Sequence, residues 1–119
     1  MNTVQNSAEN HHVKIYDVNG ILIDTQLKEI AYDGSILRPT TDVFATLIYL
    51  IENRERVITV EELRRWLWGN RDTSEFEILR SIMKARQALM DDTSKEIIRY
   101  NTEEKGYQFV GELLELEIQ

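Results

Sequence analysis

TVEELRRWLWGNRDTSEFEILRSIMKARQAL, from Thr59 to Leu89, contains two helix starts separated by a glycine stop and a short polar loop. Thr59-Val60-Glu61-Glu62 reads as a capping box, in which a hydroxyl and a carboxylate three residues apart each take a backbone N–H at a helix start. Leu63, Trp66 and Leu67 follow it, and Gly69 ends that short helix. After Asn70-Arg71-Asp72-Thr73, a second box, Ser74-Glu75-Phe76-Glu77, opens a helix predicted to run to about Leu89. Two capped helices with a brief connection predict a helix-turn-helix.

On the second of these helices, Ile78, Ile82, Ala85 and Leu89 fall on one stripe at about 100° per residue, which makes that stripe the core side. The opposite side then presents Phe76, Arg80, Met83, Lys84 and Gln87, with Glu77 at its margin. Such a face suits a major groove: Arg forks onto guanine, Gln onto adenine, and apolar atoms meet a thymine methyl. The same residues also describe a solvated face or a protein-binding groove, and the face alone leaves the three readings open.

Downstream, IIRYNTEEKGYQFVG, from Ile97 to Gly111, has two apolar arms around a polar tip with a glycine at its far end, the pattern of a β-hairpin. Upstream, Thr40 or Thr41 caps an amphipathic helix carrying Val43, Phe44, Leu47, Ile48 and Ile51 and ending near Arg54. Before it, VKIYDV, ILID, LKEIAY and SILR are strands, with hairpin dipeptides at Asn19-Gly20 and Asp33-Gly34. A sheet of such short strands must pack one face on something to be stable. Residues 1–12, MNTVQNSAENHH, read as a flexible leader, and residues 112–119 as an acidic C-terminal tail.

With 119 residues, 42% apolar content, one Pro and five Gly, the chain suits one folded domain over residues 13–111. The absence of Cys excludes disulfides, thiolate nucleophiles and Cys-based zinc sites. The His11-His12 pair has no third ligand nearby, so no metal or other cofactor is expected. No Gly-rich phosphate loop and no nucleophile with an adjacent base is visible, so the chain is not read as an enzyme. The longest apolar run, VFATLIYLI, is too short to cross a bilayer, and a soluble cytoplasmic protein without a membrane partner is expected. The formal charge of -7 opposes nucleic-acid binding in total, but between Arg54 and Arg86 eight basic side chains face six acidic ones.

The order of these pieces resembles the OmpR/PhoB-type DNA-binding domain and, more loosely, the cytoplasmic domain of ToxR- and CadC-like regulators. The resemblance covers Val13 to Val110. Its carriers are the Asp33-Gly34 turn, Leu50-Ile51-Glu52-Asn53 followed by VITVEEL, Trp68-Gly69, Arg86-x-x-Leu89, and Gly106-Tyr107 in the hairpin. It implies an α+β winged helix-turn-helix with an N-terminal four-stranded antiparallel sheet, three helices and a C-terminal β-hairpin wing. The third helix is then expected in a major groove and the wing at the neighbouring minor groove.

Carried over by position, Arg80, Ser81, Lys84 and Gln87 take the recognition-helix role. The loop of residues 70–73, which in this family touches DNA backbone or RNA polymerase, contributes Arg71 and Thr73. At the tip, Asn101, Thr102 and Lys105 are the expected backbone contacts, although the family usually places Arg or Lys where this chain has Glu103 and Glu104. The implied partner is double-stranded DNA, with RNA polymerase or another regulator and a homodimer on DNA as further candidates. The competing reading is a winged-helix protein-interaction module that binds a regulator or RNA polymerase instead of DNA.

Overall fold

The computed structural model describes residues 13–69, 72–91 and 94–118. The chain divides into two units, Met1–Arg38 with Glu112–Gln119, and Pro39–Gly111. The leader, its two histidines and Arg71 lie outside the described residues.

The first unit is an antiparallel sheet in the order β4-β3-β2-β1-β8, from β1 (Val13–Val18), β2 (Ile21–Asp24), β3 (Glu29–Tyr32), β4 (Ser35–Leu37) and β8 (Leu114–Ile118). Both hairpin dipeptides close two-residue turns with positive φ throughout, 55° and 89° at Asn19-Gly20 and 49° and 82° at Asp33-Gly34. Such left-handed turns match the twist of paired strands, and Asn, Asp and Gly tolerate them best. One face of the sheet buries Tyr16, Val18, Ile21, Ile23 and Ile30. The four N-terminal strands match expectation, and a fifth joins them. Residues 112–119, read as an acidic tail, include a strand whose Leu114, Leu116 and Glu115, Glu117 alternate with period two. That alternation fits the free edge of β1, where Ile15 pairs with Leu116 and Tyr16 with Glu115, and Lys14 Nζ meets Glu115 at 3.4 Å.

The second unit opens with α1 (Thr41–Glu52), whose N-cap Thr40 hydroxyl accepts the Val43 N–H at 3.4 Å. It buries Val43, Phe44, Thr46, Leu47, Leu50 and Ile51, so Leu50 takes the inward place expected for the half-buried Ile48. A short strand, β5 (Ile58–Thr59), leads into α2 (Val60–Leu63), which continues as a π-helical turn over Arg64–Trp68. The Gly69 N–H reaches the Arg64 carbonyl five residues back at 3.0 Å, confirming the wider turn. One extra residue per turn moves the apolar line. Leu63 and Trp68 are 0% and 6% exposed, whereas Trp66, expected on that line by α-helical spacing, is 66% exposed.

The capping box of α2 is only half formed. Thr59 Oγ1 accepts the Glu62 N–H at 3.1 Å, but the Glu62 carboxylate accepts from Arg56 and Tyr49 rather than turning back to the helix start. The box of α3 (Glu75–Ala88) is complete, with Ser74 and Glu77 reciprocally bonded. Ile78, Ile82, Ala85 and Leu89 are all buried, as the stripe predicts. The helix closes with Met90 in the left-handed region at φ 57°. Asp91 N–H then reaches Arg86 O at 3.0 Å and Met90 N–H reaches Gln87 O at 3.1 Å, a Schellman closure.

The hairpin follows as β6 (Ile98–Asn101) and β7 (Gly106–Phe109), paired from Ile98 with Phe109 to Asn101 with Gly106. β7 also pairs with β5, giving a second sheet in the order β5-β7-β6.

Candidate nucleic-acid interface

Opposite its buried stripe, α3 presents Arg80, Lys84 and Gln87 to solvent, together with Phe76 at 71% and Met83 at 50% exposure. Among the described residues no ion pair or side-chain hydrogen bond engages Arg80, Lys84 or Gln87. Two cations and an amide one helical turn apart therefore stand ready to meet external acceptors without breaking an internal contact.

Ser81 does not belong to this face. It lies about 40° around the helix from Ala85, on the inward flank, and is 7% exposed. Ser81 is thus withdrawn from solvent, whereas Arg80, Lys84 and Gln87 are exposed.

In the loop before α3, Thr73 is engaged within the chain. The Thr73 hydroxyl donates to Glu77 Oε1, which also accepts the Ser74 N–H at 3.4 Å. Thr73 thereby extends the helix cap, and its hydroxyl proton is already in use.

At the hairpin, Thr102, Glu103, Glu104 and Lys105 form an exposed four-residue tip. Asn101 Oδ1 accepts the Glu104 N–H at 2.7 Å, and Lys105 adopts φ 54° before Gly106. That bond uses the Asn101 carbonyl and leaves its amide N–H groups for outside acceptors. Lys105 and the two glutamates all stand in solvent, so both signs of charge are offered at the tip.

A groove of about 660 Å³ opens between the starts of α2 and α3 and the hairpin, lined in part by Arg64, Glu75, Leu79, Tyr100 and Lys105. Tyr100 and Tyr107 meet there with ring centroids 5.0 Å apart and planes tilted by 58°. Burial raises the Tyr107 phenol above its ordinary value, against an opposing pull from Arg86, so the ring remains neutral at physiological pH.

Arg86, which the sequence marks only as part of the Arg86-x-x-Leu89 close of α3, points toward the hairpin. Its Nε and Nη2 donate to the Ile98 carbonyl at 3.1 and 2.8 Å, and its guanidinium carbon lies 5.3 Å from the Tyr107 ring centroid. No local pattern marks this role, because the Ile98 carbonyl and the Tyr107 ring lie twelve or more residues away. Among the described residues, no group of three His, Cys, Asp or Glu side chains is placed to hold a metal, and no helix is long and apolar enough to cross a membrane.

Comparisons with solved structures and with family models follow the same outline. No curated protein sequence was found to match the chain. Among solved structures, the DNA-binding domain of Escherichia coli CadC superposes with a TM-score of 0.72 at 19% identity, covering 84% of this chain and 94% of that one. Response regulator DrrB of Thermotoga maritima, an OmpR/PhoB homologue, gives 0.69 at 26% identity, over 82% of this chain and 44% of that one. The Klebsiella pneumoniae RstA DNA-binding domain, solved in complex with the RstA box, gives 0.65 at 20% identity, over 81% and 96%. Residues 34–109 match the family described as "Transcriptional regulatory protein, C terminal". With that match spanning more than half of its length, the chain belongs to this family, the OmpR/PhoB-type winged-helix DNA-binding domains of transcription regulators.

Proposed function

We propose that this regulator binds double-stranded DNA with α3 in a major groove, reading base edges through Arg80, Lys84 and Gln87. The observation that carries the reading is the unengaged face of α3, where these three side chains are exposed opposite a fully buried stripe. Asn101, Thr102 and Lys105 supply backbone contacts from the wing, which is the weaker element because Glu103 and Glu104 flank Lys105. The RstA DNA-binding domain, of similar fold, was solved in complex with the RstA box, which supports DNA as the ligand. The chain acts by binding rather than catalysis, in the cytoplasm where DNA is accessible.

The decisive experiment is a gel-shift titration against genomic fragments at two salt concentrations. Phosphate contacts release counterions, so affinity should fall roughly 40-fold for a fourfold rise in salt if about three phosphates are neutralised. Selected fragments should stay bound under competition from bulk DNA. Weak binding that ignores salt would sink the proposal and return the protein-interaction module to first place.

A further inference from the structure

The wing hairpin is held on both of its strands by contacts that do not involve its tip. β7 is tied to the α1–α2 connection: Ile58 pairs with Tyr107, and Gln108 Nε2 donates to the Arg54 carbonyl at 3.0 Å. β6 is tied to the end of α3 by two side chains of opposite charge. Arg86 forks onto the Ile98 carbonyl, while Asp91 accepts the Ile97 N–H at 3.0 Å through Oδ1 and the Ile98 N–H at 2.8 Å through Oδ2. The two partners face each other, with Arg86 Nε 3.6 Å from Asp91 Oδ2, and the Asp91 side chain is only 8% exposed.

The Schellman closure of α3 explains the arrangement. Because Asp91 N–H returns to the Arg86 carbonyl, the backbone brings residue 91 back beside residue 86, and both side chains then reach the first residues of β6. A buried carboxylate accepting two backbone N–H groups and facing a guanidinium is costly to disturb by removing one partner. The junction between helix and hairpin is therefore stiff.

We propose that Arg86, working with Asp91, is a positioning residue for DNA binding. It sets the distance and angle between the outward face of α3 and the wing tip, so that Lys105 reaches a phosphate while Arg80, Lys84 and Gln87 occupy the groove. Arg86 itself is spent on the Ile98 carbonyl and the Tyr107 ring and reads no base. This inference rests on the DNA-binding reading above and adds to it a coupling between two elements.

A double-mutant cycle on DNA affinity tests it, using Arg86→Lys and Lys105→Ala singly and together, with Lys84→Ala as a reference. Arg86→Lys keeps the charge and removes the fork, so bulk electrostatics near DNA stays constant; circular dichroism melting verifies folding. In the wild-type background Lys105→Ala should weaken binding and lower the salt slope by about one. In the Arg86→Lys background that penalty should fall to less than half, whereas Lys84→Ala should weaken both backgrounds equally, because residues that do not share a mechanism add. An equal effect of Lys105→Ala in both backgrounds, zero included, overturns the positioning role. Loss of any effect from Lys84→Ala as well would instead indict the DNA-binding reading itself, so the two failures are distinguishable.

Discussion

Glu62 and Arg56 meet end to end, with Arg56 Nη1 and Nη2 donating to the two carboxylate oxygens at 2.8 and 2.7 Å. The Tyr49 hydroxyl adds a third donor at 2.6 Å, so α1, the connection after it and α2 share one carboxylate. Arg56 holds the Glu62 carboxyl below its ordinary range, more strongly than partial burial raises it. A group whose pKa is depressed on folding stabilises the native state above its unfolded pKa and loses that contribution as pH falls through the native one. The loss should begin near the ordinary glutamate value of about 4.3 and continue below it. Arg56 is partly exposed, so solvent screens the pair and its contribution is small. Melting temperatures of wild type and Glu62→Gln, measured from pH 7 to pH 3, should converge at the acid end; a constant gap would show that the ion pair is not what Glu62 supplies.

Ile82 sits in the middle of the buried stripe of α3 at 1% exposure. Truncation to Ala there should leave a cavity that the surrounding packing cannot close, at roughly 2–5 kcal/mol. Denaturant unfolding reads this directly as a lower midpoint at unchanged slope. An unshifted midpoint would contradict the orientation of the whole helix.

Gly106 lies under β5, where an added Cβ would stand 2.4 Å from the Ile58 carbonyl oxygen and 2.8 Å from its carbonyl carbon. The obstacle is backbone, which has little room to move. Gly106→Ala should therefore destabilise the protein by about 1–3 kcal/mol, the range for overpacked sites. Amide exchange should also quicken at Ile58 and Tyr107, the paired residues that would have to separate; protected amides in that variant would refute the explanation.

Arg80→Ala and Lys84→Ala act on solvent-exposed side chains that have no ion pair or side-chain hydrogen bond among the described residues, so both variants should melt with the wild type. DNA affinity should drop instead, by about 1–3 kcal/mol for a lost base contact, or with a salt slope lower by about one for a lost phosphate contact. Fluorescence anisotropy across a salt series distinguishes the two. Unchanged affinity in both variants would remove α3 from the interface.

Glu103 and Glu104 place two carboxylates beside Lys105 at the wing tip. If the tip approaches phosphates, like charges repel over about a Debye length, roughly 10 Å at 0.1 M salt. Replacing both with Gln should then tighten binding, most at low salt and equally for specific and non-specific DNA, because backbone electrostatics carries no sequence information. A double variant that binds DNA as before but loses a protein partner in a pull-down would reassign the tip to protein contacts.

By itself, the sequence determined the features that depend on neighbours along the chain. The turns at Asn19-Gly20 and Asp33-Gly34 follow from residues that tolerate positive φ, and the Ser74-Glu77 box from a hydroxyl and a carboxylate three residues apart. The stripe through Ile78, Ile82, Ala85 and Leu89 follows from helical periodicity, and with it the outward place of Arg80, Lys84 and Gln87. Tertiary structure decided whatever depended on a distant partner. Leu114–Ile118 became a strand because β1 offers a free edge a hundred residues earlier in the chain. Glu62 left its capping box for Arg56 and Tyr49. A π-helical turn exchanged Trp66 for Trp68 in the apolar line, and Arg86 went to the hairpin rather than to solvent. In each of these places a local preference worth a fraction of a kcal/mol to about one, such as a cap or a helical register, yielded to a non-local contact that buries apolar area or satisfies a charge.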